Sequence, residues 1–285
     1  MTEWKQVTVI GAGTMGHGIV LTAARAGLRA VMVDVSRAAV EAGLAAVRAD
    51  LEAGVARGKV TAGERDQALS RIAVEPDLGR ALEGASIVVE AVPESLDLKR
   101  QVFRDLEAAA GPDVVLATNT SSIPVGEIAA ATTRPERVVG MHFFNPVHIM
   151  PLVEVVRAAG TAEETVARAV DLGTRLGKEC IVVRDSPGFA TSRLGVLLGL
   201  EAIRMVQDGV ASAEDIDKAM TLGYRHPLGP LRLTDLVGLD VRLAIAEQLH
   251  RSLGAPAFRP PDLLRRMVAE GKLGKKSGQG FYRWS

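Results

Sequence analysis

Val7-Thr8-Val9-Ile10-Gly11-Ala12-Gly13-Thr14-Met15-Gly16, followed by the helical run Ile19 to Ala26, the apolar run Ala30 to Val33 and then Asp34, reads as one strand–helix–strand unit. The spacing has a physical meaning. Gly11 permits a tight turn, Gly13 lets backbone approach a pyrophosphate, and Gly16 lets the helix pack closely. The helix N-terminus offers free N–H groups and a positive dipole end to phosphate oxygens. Asp34 stands where a ribose would be held, and an ordinary strand-to-helix turn would leave it unexplained. A carboxylate there accepts from ribose hydroxyls and repels a 2′-phosphate, which points to NAD over NADP; Arg37, one turn into the next helix, is the competing signal.

Outward from this unit, short β-branched runs alternate with helical stretches, the pattern of a doubly wound α/β sheet. Strands are expected at Val7 to Ile10, Ala30 to Val33, Ile72 to Val74, Ile87 to Glu90, Val114 to Ala117, Val138 to Met141, Leu152 to Val156 and Ile181 to Val183. Two helices, Ala38 to Arg57 and Ala62 to Ser70, intervene after the second strand as an inserted hairpin, with Thr61 and Glu64 matching a capping box. Past Asp185 the strand signal ends and helical patterns take over, including Leu231 to Leu249. Residues 1–184 therefore read as a Rossmann-type domain and 185–285 as an all-helical one.

Composition bounds the function. The chain has 285 residues, 47% hydrophobic and 24% charged, with a formal net charge of +0. That is ample for a buried core, and it lacks the long-range positive field that a nucleic-acid binder usually carries. No uncharged apolar stretch approaches membrane-span length, and the glycine motif begins too near Met1 to leave room for a signal peptide. Cys180, the single cysteine, excludes an internal disulfide and falls in an apolar run. A cytoplasmic protein with no metal site is expected.

The chemistry gathers after the fifth strand. Asn119-Thr120-Ser121-Ser122 lies at a strand's carboxyl end, where open α/β sheets bind ligands. His142-Phe143-Phe144-Asn145-Pro146 again follows a strand, and its aromatic pair and proline imply a fixed, partly dry loop. Glu154 interrupts the apolar run Leu152-Val153-Glu154-Val155-Val156, where a carboxylate is costly unless paired. The segment His148 to Pro151 is short enough to be a turn that returns the chain beside His142. Glu154 would then orient the imidazole, giving a general base for alcohol oxidation beside a nicotinamide.

Together with Asp185-Ser186-Pro187-Gly188-Phe189 and Gly274-Lys275-Lys276-Ser277-Gly278-Gln279-Gly280-Phe281-Tyr282, these motifs resemble, end to end and in order, the L-3-hydroxyacyl-CoA dehydrogenases, including the 3-hydroxybutyryl-CoA dehydrogenases. The resemblance implies an NAD-dependent enzyme of fatty acid or related acyl-CoA metabolism, with an acyl-CoA substrate and a homodimer formed through the helical domain. It implies His142 as base, Glu154 as its partner and Ser121 on the substrate oxygen. Gly11, Ala12, Gly13, Thr14, Met15, Gly16 and Asp34 would then hold the cofactor, with Glu94, Lys99, Asn119, Asn145 and Lys276 lining its site. The inserted hairpin, carrying Arg48, Arg57, Lys59 and Arg65, would meet the nucleotide end of CoA. One departure is visible: Ser192 occupies the slot where the family usually carries an asparagine that touches substrate, and a hydroxyl is shorter than a carboxamide. At this level a dehydrogenase of a free hydroxy or sugar acid, or a nucleotide-binding relative without turnover, stays open as an alternative.

Overall fold

The computed structural model describes residues 4–284. The chain divides into two compact units, residues up to Ser186 and Pro187 onward.

The first unit is an eight-stranded sheet in the order β3-β2-β1-β4-β5-β6-β7-β8. In chain order its strands and helices are β1 (Gln6–Ile10), α1 (Thr14–Arg25), β2 (Arg29–Val33), α2 (Arg37–Ala56), α3 (Ala62–Ser70), β3 (Ile72–Val74), α4 (Leu78–Leu82), β4 (Ile87–Glu90), α5 (Leu96–Ala109), β5 (Val115–Thr118), α6 (Val125–Ala129), β6 (Val138–Phe143), β7 (Leu152–Arg157), α7 (Glu163–Arg175) and β8 (Glu179–Arg184). All eight expected strands form, with ends shifted by a residue or two. From β3 to β6 the sheet is parallel; β7 then runs antiparallel to β6, and β8 follows β7. The reversal comes from the turn anticipated at His148 to Pro151, and it sets the register His142↔Glu154.

Apolar strands with both faces covered make the core: Val7, Val9, Ile87, Val89, Leu116, Ala117, Val153 and Val155 are at most 1% exposed. Strand order reverses between β1 and β4, opening a crevice at their carboxyl ends. The inserted hairpin is α2 and α3. Ser36 caps α2, accepting from the Ala39 N–H at 3.1 Å. Thr61 and Glu64 form the expected capping box, with Oγ1 of Thr61 accepting from the Glu64 N–H at 3.2 Å and Glu64 accepting from the Thr61 N–H at 2.7 Å.

The second unit is helical: α8 (Thr191–Gln207), α9 (Ala213–Lys218), α10 (Pro230–Val237), α11 (Leu239–Leu253) and α12 (Asp262–Ala269). Its core is Val196, Leu200, Ile203, Leu231, Leu239, Ala246, Leu249 and Leu264. Asp235 ties the C-terminal segment down, accepting from the N–H groups of Phe281 and Tyr282 and from Nε1 of Trp284 at 2.8–2.9 Å. Among the described residues, no helix is long and apolar enough to cross a membrane.

Candidate active site

The glycine turn is built as the spacing predicts. Gly11 sits at φ +103°, and a Cβ there would stand 2.6 Å from the Ala91 carbonyl oxygen. At Gly16 a Cβ would stand 1.8 Å from the Gly11 carbonyl oxygen, so any side chain would push α1 away from the turn. At Gly13 nothing beyond its own chain neighbours lies within 4 Å of that position, leaving the space a pyrophosphate needs. A cavity of about 710 Å³ opens here, lined by Gly11, Ala12, Gly13, Thr14, Met15 and Asp34 on one side and by Ala91 to Pro93 with Leu98 on the other. The Asp34 carboxylate accepts from the N–H groups of Ala12 and Val35, both at 2.7 Å. It is thereby fixed at the end of β2, at the rim of the cavity. These residues fit a dinucleotide: open backbone at a helix start, and an anchored acid where a ribose would lie.

Behind the cavity lies a buried ionic chain. Glu90 ends β4 with no exposure, and Lys99 on α5 is 1% exposed. Nζ of Lys99 donates to Glu90 at 2.7 Å and lies 3.3 Å from Glu94. Glu90 also accepts from the Thr118 hydroxyl at 2.7 Å and the Val92 N–H at 2.8 Å. Glu94 in turn accepts from the Thr120 hydroxyl at 2.6 Å and from the Ser121 and Ser122 N–H groups at 3.1 and 3.2 Å. Burial pushes the Glu94 carboxyl up, but the Lys99 charge and these donors outweigh it and hold it below the usual value of 4.5. Lys99 thus stands behind the wall of the nucleotide cavity, holding the acid that holds the Ser121 loop. Sequence reasoning passed over Glu90, reading it only as a strand's last residue. The signal was present, since an acid closes the apolar run Ile87-Val88-Val89.

At the same end of the sheet, that of the parallel strands' carboxyl ends, β6 and β7 bring His142 and Glu154 together. Nδ1 of His142 lies 2.8 Å from Oε2 of Glu154. The histidine is 7% exposed and the glutamate fully buried. A carboxylate only accepts, so it holds the proton on Nδ1 and leaves Nε2 as the basic nitrogen of the neutral ring. Phe144 tilts over the imidazole with ring centroids 4.4 Å apart. Asn119 connects the two loops, its Oδ1 accepting from the Phe143 N–H at 2.9 Å.

The hairpin makes a second concavity of about 350 Å³, lined by Arg25, Asp50, Arg57, Lys59 and His148 among others. Asp50 lies 3.4 Å from Nε2 of His17 and 3.5 Å from Nδ1 of His148. Asn145 joins His17, Asp50 and Arg57 around an adjoining cavity of about 360 Å³. Arg48 is exposed on α2, and Arg65 is engaged by Glu52 and Asp66.

In the helical unit, Ser192 lies in the first turn of α8, and no hydrogen bond of its hydroxyl is present among the described residues. Lys276 is paired with Asp240 at 2.6 Å.

Residues 6–186 match the family described as 3-hydroxyacyl-CoA dehydrogenase, NAD binding domain, and residues 188–284 match its C-terminal domain. A probable 3-hydroxybutyryl-CoA dehydrogenase of Bacillus subtilis is 47% identical over 98% of this chain and 97% of its own length. The human mitochondrial hydroxyacyl-coenzyme A dehydrogenase is 40% identical over 98% of this chain and 91% of its own. Among solved structures, (S)-3-hydroxybutyryl-CoA dehydrogenase from Ralstonia eutropha superposes with a TM-score of 0.95 at 42% identity, covering 99% of this chain and all of that one.

Proposed function

The chain belongs to the NAD-dependent 3-hydroxyacyl-CoA dehydrogenase family, and from that premise we propose that it reversibly oxidises the 3-hydroxyl of an L-3-hydroxyacyl-CoA to the 3-oxoacyl-CoA, with His142 as general base. The observation that carries this reading is the buried His142–Glu154 hydrogen bond at the end of the sheet that also carries the glycine turn. Bound NAD supplies the hydride acceptor. Nε2 of His142 takes the hydroxyl proton as C3 gives up its hydride, and Glu154 stabilises the imidazolium that results. In reduction the same nitrogen returns the proton to the new alkoxide. Ser121, on the loop fixed by Glu94, donates to the substrate oxygen, and Ser192 does so from the helical unit.

The basic side chains Arg57 and Lys59 receive the nucleotide end of CoA. Leu194, Leu236, Val237 and Val241 are 40–66% exposed on α8, α10 and α11, and an apolar face of this kind supports a homodimer through the helical unit. A cytoplasmic location and a place in fatty acid or related acyl-CoA metabolism belong to the same proposal, on the sequence reading. Following NADH absorbance with acetoacetyl-CoA beside free acetoacetate tests it. Turnover of the thioester with little of the free acid is expected; the reverse preference, or no turnover of either, refutes it.

A further inference from the structure

Lys178 lies in the short turn between α7 and β8, just after Gly177 at φ +73°, and is 8% exposed. Its Nζ donates to the carbonyl of Val147 at 2.5 Å and to that of Met150 at 2.8 Å. Burial first, and the Arg25 charge second, push its ammonium below the usual value of 10.5. Burying an ammonium is costly, and an aliphatic side chain would serve packing alone.

What the ammonium holds is the turn between β6 and β7. Val147 and Met150 flank His148 and Ile149, and the turn's own bonds run from the Ile149 and Met150 N–H groups to the Pro146 carbonyl at 3.0 and 2.9 Å. Two more ties fix the same turn. The Val147 side chain, 2% exposed, packs over α1 at Gly18, where a Cβ would stand 2.9 Å from it. Nδ1 of His148 lies 3.5 Å from the Asp50 carboxylate on α2. The turn so held walls both hairpin cavities: His148 and Ile149 line the first together with Arg57 and Lys59, and residues 145–149 line the second together with Arg57. The register His142↔Glu154, by contrast, is set by the ladder of β6 and β7, which pairs from Gly140↔Val156 to Phe143↔Val153.

We propose that Lys178 is a positioning residue for the CoA end of the substrate: its ammonium fixes the β6–β7 turn as the wall against which the hairpin holds the nucleotide-bearing part of an acyl-CoA. The proposal rests on the acyl-CoA reading above. Without the ammonium, the Val147 and Met150 carbonyls lose their shared donor, and His148 and Ile149 are no longer held beside Arg57. A long thioester then loses binding, while the reacting end keeps its base.

The test compares acetoacetyl-CoA with acetoacetyl-N-acetylcysteamine, a thioester with the same reacting end and no nucleotide, by NADH absorbance in the wild type, Lys178→Met and Lys178→Arg. Lys178→Met should raise KM for acetoacetyl-CoA about tenfold, with kcat and the KM for NADH within about twofold of wild type and kcat/KM for the truncated ester unchanged. Lys178→Arg keeps donors at the end of a long stem and should recover part of the loss. A merely structural role would act on both esters alike, so an equal fall in the two overturns the proposal, as does an unchanged KM for acetoacetyl-CoA in a folded Lys178→Met. In the wild type, CoA alone should slow amide hydrogen exchange in residues 147–150; no slowing there overturns the proposal without needing either variant to fold. Wild-type turnover of neither ester refutes the dehydrogenase reading and this inference with it, whereas turnover of both with an equal response to Lys178→Met refutes this inference alone.

Discussion

In the α/β unit, Glu90 and Glu154 have no exposure, and each is met by a donor at 2.7–2.8 Å, Lys99 in one case and His142 in the other. In the helical unit the acids are treated the same way, Asp235 and Asp217 each collecting backbone N–H donors, yet the Nε of Arg242 meets no hydrogen-bond acceptor among the described residues. Both kinds of buried charge are costly to desolvate, and the acids are offset within their own units while the Nε of Arg242 is not. In the α/β unit the pairing with Glu154 fixes the imidazole of His142, which is what a base that must act at one atom needs.

The largest expected effect lies at the assembled end. His142→Ala should lower kcat by a factor on the order of 10² to 10⁴, with NAD affinity nearly intact, because the imidazole acts on the proton and not on the nucleotide. Glu154→Gln should do the same more mildly. If the carboxylate works only through the imidazole, the double variant is little worse than His142→Ala alone. Multiplicative losses in the two single variants and their combination would break the pair into two independent groups.

Next comes the ionic chain behind the nucleotide cavity. Lys99→Met strands Glu90 with no cation in a fully buried position, and stability should fall by about 3–5 kcal/mol in urea unfolding. Adding Glu90→Gln to Lys99→Met should recover part of that loss, since a neutral amide costs less to bury than an unpaired carboxylate. A Lys99→Met protein as stable as wild type would mean that the chain Glu90–Lys99–Glu94 contributes nothing to the fold.

Ser192 tests the other unit. A reading in which its hydroxyl merely bonds back to a carbonyl of its own helix finds no such bond among the described residues. Removing a donor to the substrate oxygen costs roughly 1–3 kcal/mol. Ser192→Ala should therefore lose about ten- to a hundredfold in kcat/KM for the acyl-CoA with NAD binding unchanged, and Ser192→Asn should be tolerated. Unaltered kinetics in Ser192→Ala would leave substrate placement to Ser121 and His142.

What could be read from the sequence follows from how local each signal is. The glycine turn, Asp34 and the eight strands are set by residues close together in the chain, and they appear where periodicity and turn chemistry put them. Glu154 was legible because it breaks an apolar run in the middle, so its burial and its need for a partner could be argued before any coordinates. Glu90 carries the same chemistry at the end of its run, where a polar residue is equally well explained as the strand's exit, and nothing local says that α5 delivers Lys99 to it. Glu94 and Lys99 were visible only through the family resemblance. Arg242 was not legible at all. On its own helix it is one charged residue among several, and its burial depends on two glycines of α8 more than forty positions away.

The smallest expected effect is the one that decides whether the two units differ as described. Arg242→Met keeps an unbranched aliphatic stem to pack over Gly195 and Gly199 while deleting a charge whose Nε meets no hydrogen-bond acceptor among the described residues. The stem's packing is largely retained, and the desolvation cost of the guanidinium disappears. Tm in the absence of substrate should therefore be unchanged or slightly raised, opposite in sign to the drop expected for Lys99→Met. A fall comparable to that of Lys99→Met would show that the guanidinium is already satisfied within the free protein. The contrast between the paired lysine Lys99 and the unpaired arginine Arg242 would then collapse.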